Sequence, residues 1–238
     1  MITASHNPKE YNGFKLYGSN GGQLLKKEEL KIRSMFREPD KYLEIKESKL
    51  KSTALGSEYF HEYALALQNE ISASLGAFYP MACTIGEIIN PETADSFSNM
   101  IKQSSTQDIE YFMAHDPDSD RGALVEKYGE SYIFFSGNEM AVLLSSFLLD
   151  GDFIDKVVKL LSPNIKIIRT ETGFKSIGSS AESLQKNGEI LMGCEEAIGV
   201  LLYPNLSLEK DGFQQSILSI YMIGFYKYHE KKLITQLY

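Results

Sequence analysis

With 238 residues and 43% hydrophobic side chains, the chain is long enough to bury a sizeable core, as one large domain or two small ones. A net charge of −8 argues against nucleic acid or an anionic membrane as the main partner, since either would call for surplus Lys and Arg. Cys83 and Cys194 make neither a disulfide framework nor a metal spacing, and nothing reads as a signal peptide or a bilayer-spanning helix, so a cytosolic protein is expected.

The chain opens on Thr3-Ala4-Ser5-His6-Asn7-Pro8, followed by Asn12-Gly13-Phe14-Lys15. This composition makes a loop rich in local hydrogen bonds. Ser5 is a candidate nucleophile, with His6 and Lys15 as candidate proton carriers, although a serine next to a histidine in sequence is weak evidence of activation. Gly18 to Gly22 is a turn before an amphipathic helix, roughly Lys27 to Phe36. Residues 41–51 form a charged run that reads as a solvated helix or linker. Phe60, Tyr63, Ala64, Leu67 and Ile71 recur at helical spacing, a stripe best explained by core packing. Residues 76–108 read as irregular.

Residues 109–114 predict a buried strand, and Ala123-Leu124-Val125 a second. Between them lies Asp116-Pro117-Asp118-Ser119-Asp120-Arg121. Carboxylates at alternate positions in a tight loop can converge as hard oxygen ligands suited to Mg²⁺, and the guanidinium of Arg121 can hold a phosphate beside it. The alternative is an acidic surface turn. A calcium EF-hand loop fits poorly, because its sixth position is Arg121 and its twelfth Lys127.

A hairpin follows, with its turn at Tyr128-Gly129-Glu130 and a strand at 132–135. Ser136 and Glu139 form a capping box for a helix through Leu149. Gly151-Asp152 marks a domain boundary. Residues 165–168 predict a strand and 175–186 a helix closed by Asn187-Gly188; 190–192 enter and 200–203 leave a loop around Glu195-Glu196, and 212–228 predict a last helix. Strands alternating with helices argue for an α/β architecture.

Five segments together resemble the α-D-phosphohexomutases, the family of phosphoglucomutases and phosphomannomutases. Thr3 to Pro8 with Asn12 to Lys15 resembles its phosphoserine loop, Asp116 to Arg121 its metal loop, and Gly193-Cys194-Glu195-Glu196-Ala197-Ile198-Gly199 its sugar-recognition loop. Thr172-Gly173-Phe174-Lys175 and Lys210-Asp211-Gly212 resemble segments of its third domain. The Glu-Glu-Ala-Ile-Gly form is most like the phosphopentomutase, or phosphoglucomutase-2, branch.

The resemblance implies mixed-sheet α/β domains of the phosphohexomutase type, incomplete: residues 1–54 from the end of domain 1, 55–150 as domain 2, 151–238 as domain 3, and no domain 4. It implies a phosphosugar mutase that moves phosphate within a hexose or pentose phosphate through a phosphoserine and a bisphosphate. Catalytic roles would fall to Ser5, His6, Lys15 and Arg121. One Mg²⁺ would be held by Ser5, Asp116, Asp118 and Asp120, and a sugar bisphosphate would serve as activator. Substrate contacts would come from Glu195, Glu196, Thr172, Gly173, Lys175 and Arg121. The competing reading is an inactive remnant that binds Mg²⁺ or sugar phosphate, or docks on an intact relative.

Overall fold

Single antiparallel bridges, Ile2 to Phe14 and Tyr17 to Gln23, give the N-terminus the shape of a ribbon rather than a sheet. The computed structural model describes residues 1–8, 10–37, 62–63, 65–66, 90–103, 109–149, 166–188 and 190–238. After the ribbon comes helix α1 (Lys26–Phe36), close to its expected bounds. Its start is stabilised by Glu28, whose carboxylate accepts from the backbone N–H of Leu25 at 3.1 Å.

Helix α2 (Asp95–Gln103) occupies part of the stretch that reads as irregular from sequence. Its Phe97 is buried, so tertiary packing supplies what the local pattern understates. Strands β1 (Tyr111–His115), β2 (Gly122–Tyr128) and β3 (Ser131–Phe134) then form an antiparallel meander with β2 in the centre. The β2–β3 turn uses Gly129 at φ 62°, a conformation that glycine adopts without steric cost.

Helix α3 (Gly137–Leu148) carries the expected capping box, with Ser136 N donating to Glu139 at 2.7 Å and Glu139 N to Ser136 Oγ at 3.3 Å. Helix α4 (Phe174–Gln185), the short antiparallel pair β4 (Gly193–Cys194) and β5 (Val200–Leu201), and helix α5 (Gly212–Tyr228) follow. A 3-10 turn, Ile234–Gln236, ends the order. The whole is a mixed α/β architecture.

One strand expectation fails. Residues 166–168 take no regular structure, with Ile167 69% and Ile168 42% exposed. β-branched residues favour a strand only where a partner ladder and a packing face exist, and neither is present among the described residues. Residues 62–63 and 65–66 are helical, in line with the stripe from Phe60 to Ile71, whose remainder lies outside the described residues. The charged run 41–51 and the boundary at Gly151-Asp152 lie outside them too.

The alternation of side chains along β2 divides the core in two. Leu124 faces a cluster built from α3 and α5, including Met140, Leu144, Leu218, Met222 and Tyr226. Ala123 and Val125 face the other side, with Phe97, Phe112 and Ile198. Glu126 is fully buried and accepts from Leu233 N and Ile234 N, both at 2.9 Å, and from Tyr111 Oη at 3.0 Å, fixing the C-terminal turn to the sheet. This sheet, packed on both faces, is the mount for the loop between β1 and β2.

Candidate active site

Two loops meet at Ser5. The N-terminal ribbon is tied by Thr3 N to Gly13 O at 3.0 Å and by Lys15 N to Met1 O at 2.9 Å. At its tip Ser5 N donates to Thr3 Oγ1 at 2.8 Å, and Ser5 takes φ 53°. A left-handed serine costs of order 1 kcal/mol and is held only where surroundings fix it. Here they do: Ser5 Oγ donates to Asp116 Oδ2 at 2.8 Å and lies 3.1 Å from His6 Nδ1.

The aspartate loop is closed by Ser119 N to Asp116 O at 2.9 Å, with Ser119 also left-handed at φ 56°. Asp116 and Asp120 are buried, Asp118 partly so. One carboxylate oxygen from each lies within 4.8 Å of the others, the arrangement a divalent cation needs. Asp118 Oδ1 and Asp120 Oδ1 are buried without a hydrogen-bond partner among the described residues, and such orphaned acceptors fit a cation ligand set. The residues therefore fit a hard divalent metal.

Lys15 Nζ reaches Asp118 Oδ2 and Asp120 Oδ2, both at 2.6 Å. Burial works to lower its pKa, but the bonds to the two aspartates prevail and raise it, so Lys15 is a cation here. Asp116 is subject to burial that would raise its pKa, yet Arg121 and the Ser5 hydroxyl hold it below the usual carboxylate range. Burial raises that of Asp120.

Arg121 sits behind the loop rather than on its surface. Its Nε donates to Asp116 Oδ2 at 2.9 Å, one terminal nitrogen to Glu92 Oε1 at 2.9 Å, and the other to His6 Nδ1 at 2.6 Å. A guanidinium only donates, so His6 Nδ1 is the acceptor and the ring proton lies on Nε2. Arg121 thereby fixes both the loop and the histidine beside Ser5. Glu92 was not singled out from sequence, although Asn90-Pro91-Glu92 is a turn signal that places a carboxylate at a rigid position.

The glutamate loop joins this cluster through Lys210, whose Nζ lies 2.6 Å from Glu195 Oε1 and 3.8 Å from Asp120 Oδ1. The side chain of Glu196 is exposed. A Cβ at Gly199 would run into the Glu195 carboxylate and the Lys210 stem, so a larger residue there would push this ion pair aside. Thr172 and Gly173 are exposed at the start of α4, and Lys175 bonds Glu29 of α1 at 3.0 Å. Of the residues singled out from sequence, Ser5, His6, Lys15, the three aspartates and Arg121 thus form one bonded cluster and Glu195 is linked to it. Lys175 is instead engaged with α1. Lys210 stands in a motif read from sequence without a role; its place between the two loops is a tertiary fact.

Comparison with known proteins bears on this cluster directly. A family model described as phosphoglucomutase/phosphomannomutase, alpha/beta/alpha domain I, matches residues 1–43, the segment that carries Ser5 and Lys15. The chain is 26% identical to a phosphomannomutase of Mycoplasmoides pirum, over 92% of this chain and 50% of that protein. It is 27% identical to a phosphoglucomutase of Staphylococcus saprophyticus, over 90% and 50%, and 25% identical to a phosphopentomutase of Mus musculus, over 100% and 49%. In sequence the chain is thus similar to phosphohexomutases along most of its length. A crystal structure of a phosphoglucomutase/phosphomannomutase family protein from Burkholderia thailandensis shares the fold, with a TM-score of 0.60 at 14% identity, over 93% of this chain and 54% of that one. The chain spans about half the length of the curated relatives it matches. Among the described residues, no helix is long and apolar enough to cross a membrane.

Proposed function

We propose that this chain carries the phosphoryl-transfer centre of a phosphosugar mutase, with Ser5 as the phosphate carrier. One observation bears most of the weight. The Ser5 hydroxyl donates to Asp116 at 2.8 Å, across 111 residues of chain, inside a cluster whose carboxylates can hold a divalent cation. An acidic surface turn has no reason to close on a serine loop so distant in sequence.

A Mg²⁺ held by Asp116, Asp118, Asp120 and the Ser5 side chain would supply charge neutralisation for the transferring phosphoryl group. The remaining chemistry rests on side chains of this chain. As phosphate leaves Ser5 for a sugar hydroxyl, the P–Oγ bond breaks and a P–O bond to the sugar forms. The proton lost by the hydroxyl ends on Ser5 Oγ, with Lys15 the candidate carrier; His6, whose Nδ1 already accepts from Arg121, lies 3.1 Å from that oxygen and positions the phosphate. The resulting bisphosphate turns over and returns its other phosphate to Ser5. Arg121 keeps Asp116 and His6 in place throughout. Glu195 and Glu196 accept hydrogen bonds from sugar hydroxyls, and Thr172, Gly173 and Lys175 border the sugar.

The substrate is a phosphorylated hexose or pentose, with a sugar bisphosphate needed to prime Ser5 after dephosphorylation. The form of residues 195–199 favours the phosphopentomutase branch. The test is a coupled assay with Mg²⁺, a sugar bisphosphate primer, and glucose 1-phosphate or ribose 1-phosphate in parallel. Turnover that disappears in Ser5→Ala and Asp118→Asn supports the reading. Folded protein without turnover on either sugar, and without phosphate transfer from the primer to Ser5, overturns it.

A further inference from the structure

We propose that Gln215, in the first turn of α5, is a positioning residue that sets the backbone of the aspartate loop for cation binding. This rests on the reading that Asp116, Asp118 and Asp120 hold a divalent cation.

Gln215 is 1% exposed, and its amide makes two bonds to one residue: Oε1 accepts from Gly122 N at 3.1 Å and Nε2 donates to Gly122 O at 2.5 Å. Gly122 follows Arg121 directly and is the first residue of β2. Lys127 N bonds Glu110 O across the β1 side of β2, and counting the alternation of an antiparallel ladder back from there turns the N–H and C=O of Gly122 away from β1. On that other side β3 pairs only as far as Val125↔Phe134. The amide of Gln215 therefore stands where a third strand would continue, and satisfies both groups at the point where strand becomes loop. A buried amide is costly unless fully bonded, and these two bonds meet that requirement.

The rest of the same helical turn acts on the same loop. Asp211 caps the helix by accepting from Phe213 N and Gln214 N, at 2.9 and 3.1 Å, which leaves the N–H of Gly212 to bond Ser119 O at 3.0 Å. A Cβ at Gly212 would collide with Ser119 O, Arg121 O and His115 Nδ1. Ser216 Oγ lies 2.9 Å from His115 Nε2, at the other end of the loop. Backbone on both sides of Asp120 is thus held by one helix end. The carboxylates cannot converge unless that backbone is fixed.

The experiment measures Mn²⁺ affinity by paramagnetic resonance, with Mg²⁺ competition, alongside thermal unfolding. Gln215→Met keeps the length of the side chain and deletes the amide. Glu126→Gln, on the same strand, perturbs a buried polar clamp remote from the loop and serves as the control for lost stability. Loss of a partner that orients a metal ligand set weakens affinity roughly 10- to 100-fold, and that is the expected result for Gln215→Met, with the control lowering Tm at unchanged Mn²⁺ affinity. Gln215→Asn, one methylene short of bonding both groups, moves in the same direction and stands in if Gln215→Met does not fold. Wild-type affinity in Gln215→Met, or equal loss in Glu126→Gln, overturns the positioning role while leaving the cation site intact. Wild-type protein that binds Mn²⁺ no better than Asp118→Asn overturns the cation reading and this inference together.

Discussion

The backbone of Glu196 lies where a side chain at Gly137 would have to go. A Cβ on this first residue of α3 would run into Glu196 O and C and Ile198 N, so the glutamate loop is seated directly on a helix start. Gly137→Ala separates packing from propensity. Alanine exceeds glycine in helix propensity by about 1 kcal/mol, yet overpacking here should cost about 1–3 kcal/mol. Chemical denaturation of both proteins decides it, and a more stable alanine variant means the loop is not seated there.

Ile198 anchors the same loop from its other end. It is 2% exposed, in one cluster with Phe97, Phe112, Ala123 and Val125, and it holds φ 56°. Ile198→Ala should lose about 2–5 kcal/mol through the cavity. Ile198→Gly deletes one carbon more but relieves the left-handed backbone, worth about 1 kcal/mol, so the glycine variant should not be the less stable of the two. Equilibrium unfolding in urea ranks them, and a clearly weaker glycine variant removes the argument from backbone strain.

Arg121 bonds Asp116, Glu92 and His6 with three different nitrogens. A lysine cannot reproduce that fork. Lysine keeps the charge but not the fork, so Arg121→Lys should lose about 1.5–3 kcal/mol, the range for a hydrogen bond to a charged group, and should release the histidine that faces Ser5. Unfolding free energies test the first consequence. NMR of the His6 ring tests the second, through loss of the Nε2–H tautomer preference. A variant within 1 kcal/mol of wild type would make Arg121 a surface contact after all.

Burial pushes the Glu209 carboxyl above its ordinary value, against the hydrogen bonds from Lys210 N and the Gln23 side chain that pull it down. A raised folded pKa means that the folded state binds the proton more tightly than the unfolded one. Stability then falls as pH rises from the ordinary carboxylate range, near 4.3, through the folded pKa, and the penalty is complete above it. Glu209→Gln removes the ionisation, so it should gain on wild type at pH 7 and lose that advantage toward pH 4. Paired melting curves from pH 4 to 7 check this; a constant difference across the range contradicts it.

The sequence by itself determined the parts whose signal is local. Alternating aspartates between two apolar runs fixed the loop between β1 and β2, and the Ser136–Glu139 pair fixed the start of α3. The last helix, expected over 212–228, is α5 with those bounds. Each is written in the spacing of neighbours, so it survives reading one residue after another. Local spacing leaves open who bonds whom. Nothing near Ser5 in sequence says that it bonds Asp116, and nothing near Arg121 says that its fork takes Glu92 and His6. Local propensity also erred at 166–168, where β-branched residues found no ladder among the described residues. Gln215 shows the reason most plainly. A glutamine in the first turn of a helix looks like any solvated side chain until a strand end arrives with two backbone groups left over. Burial and hydrogen-bond satisfaction are properties of the assembled chain, and spacing along it does not carry them.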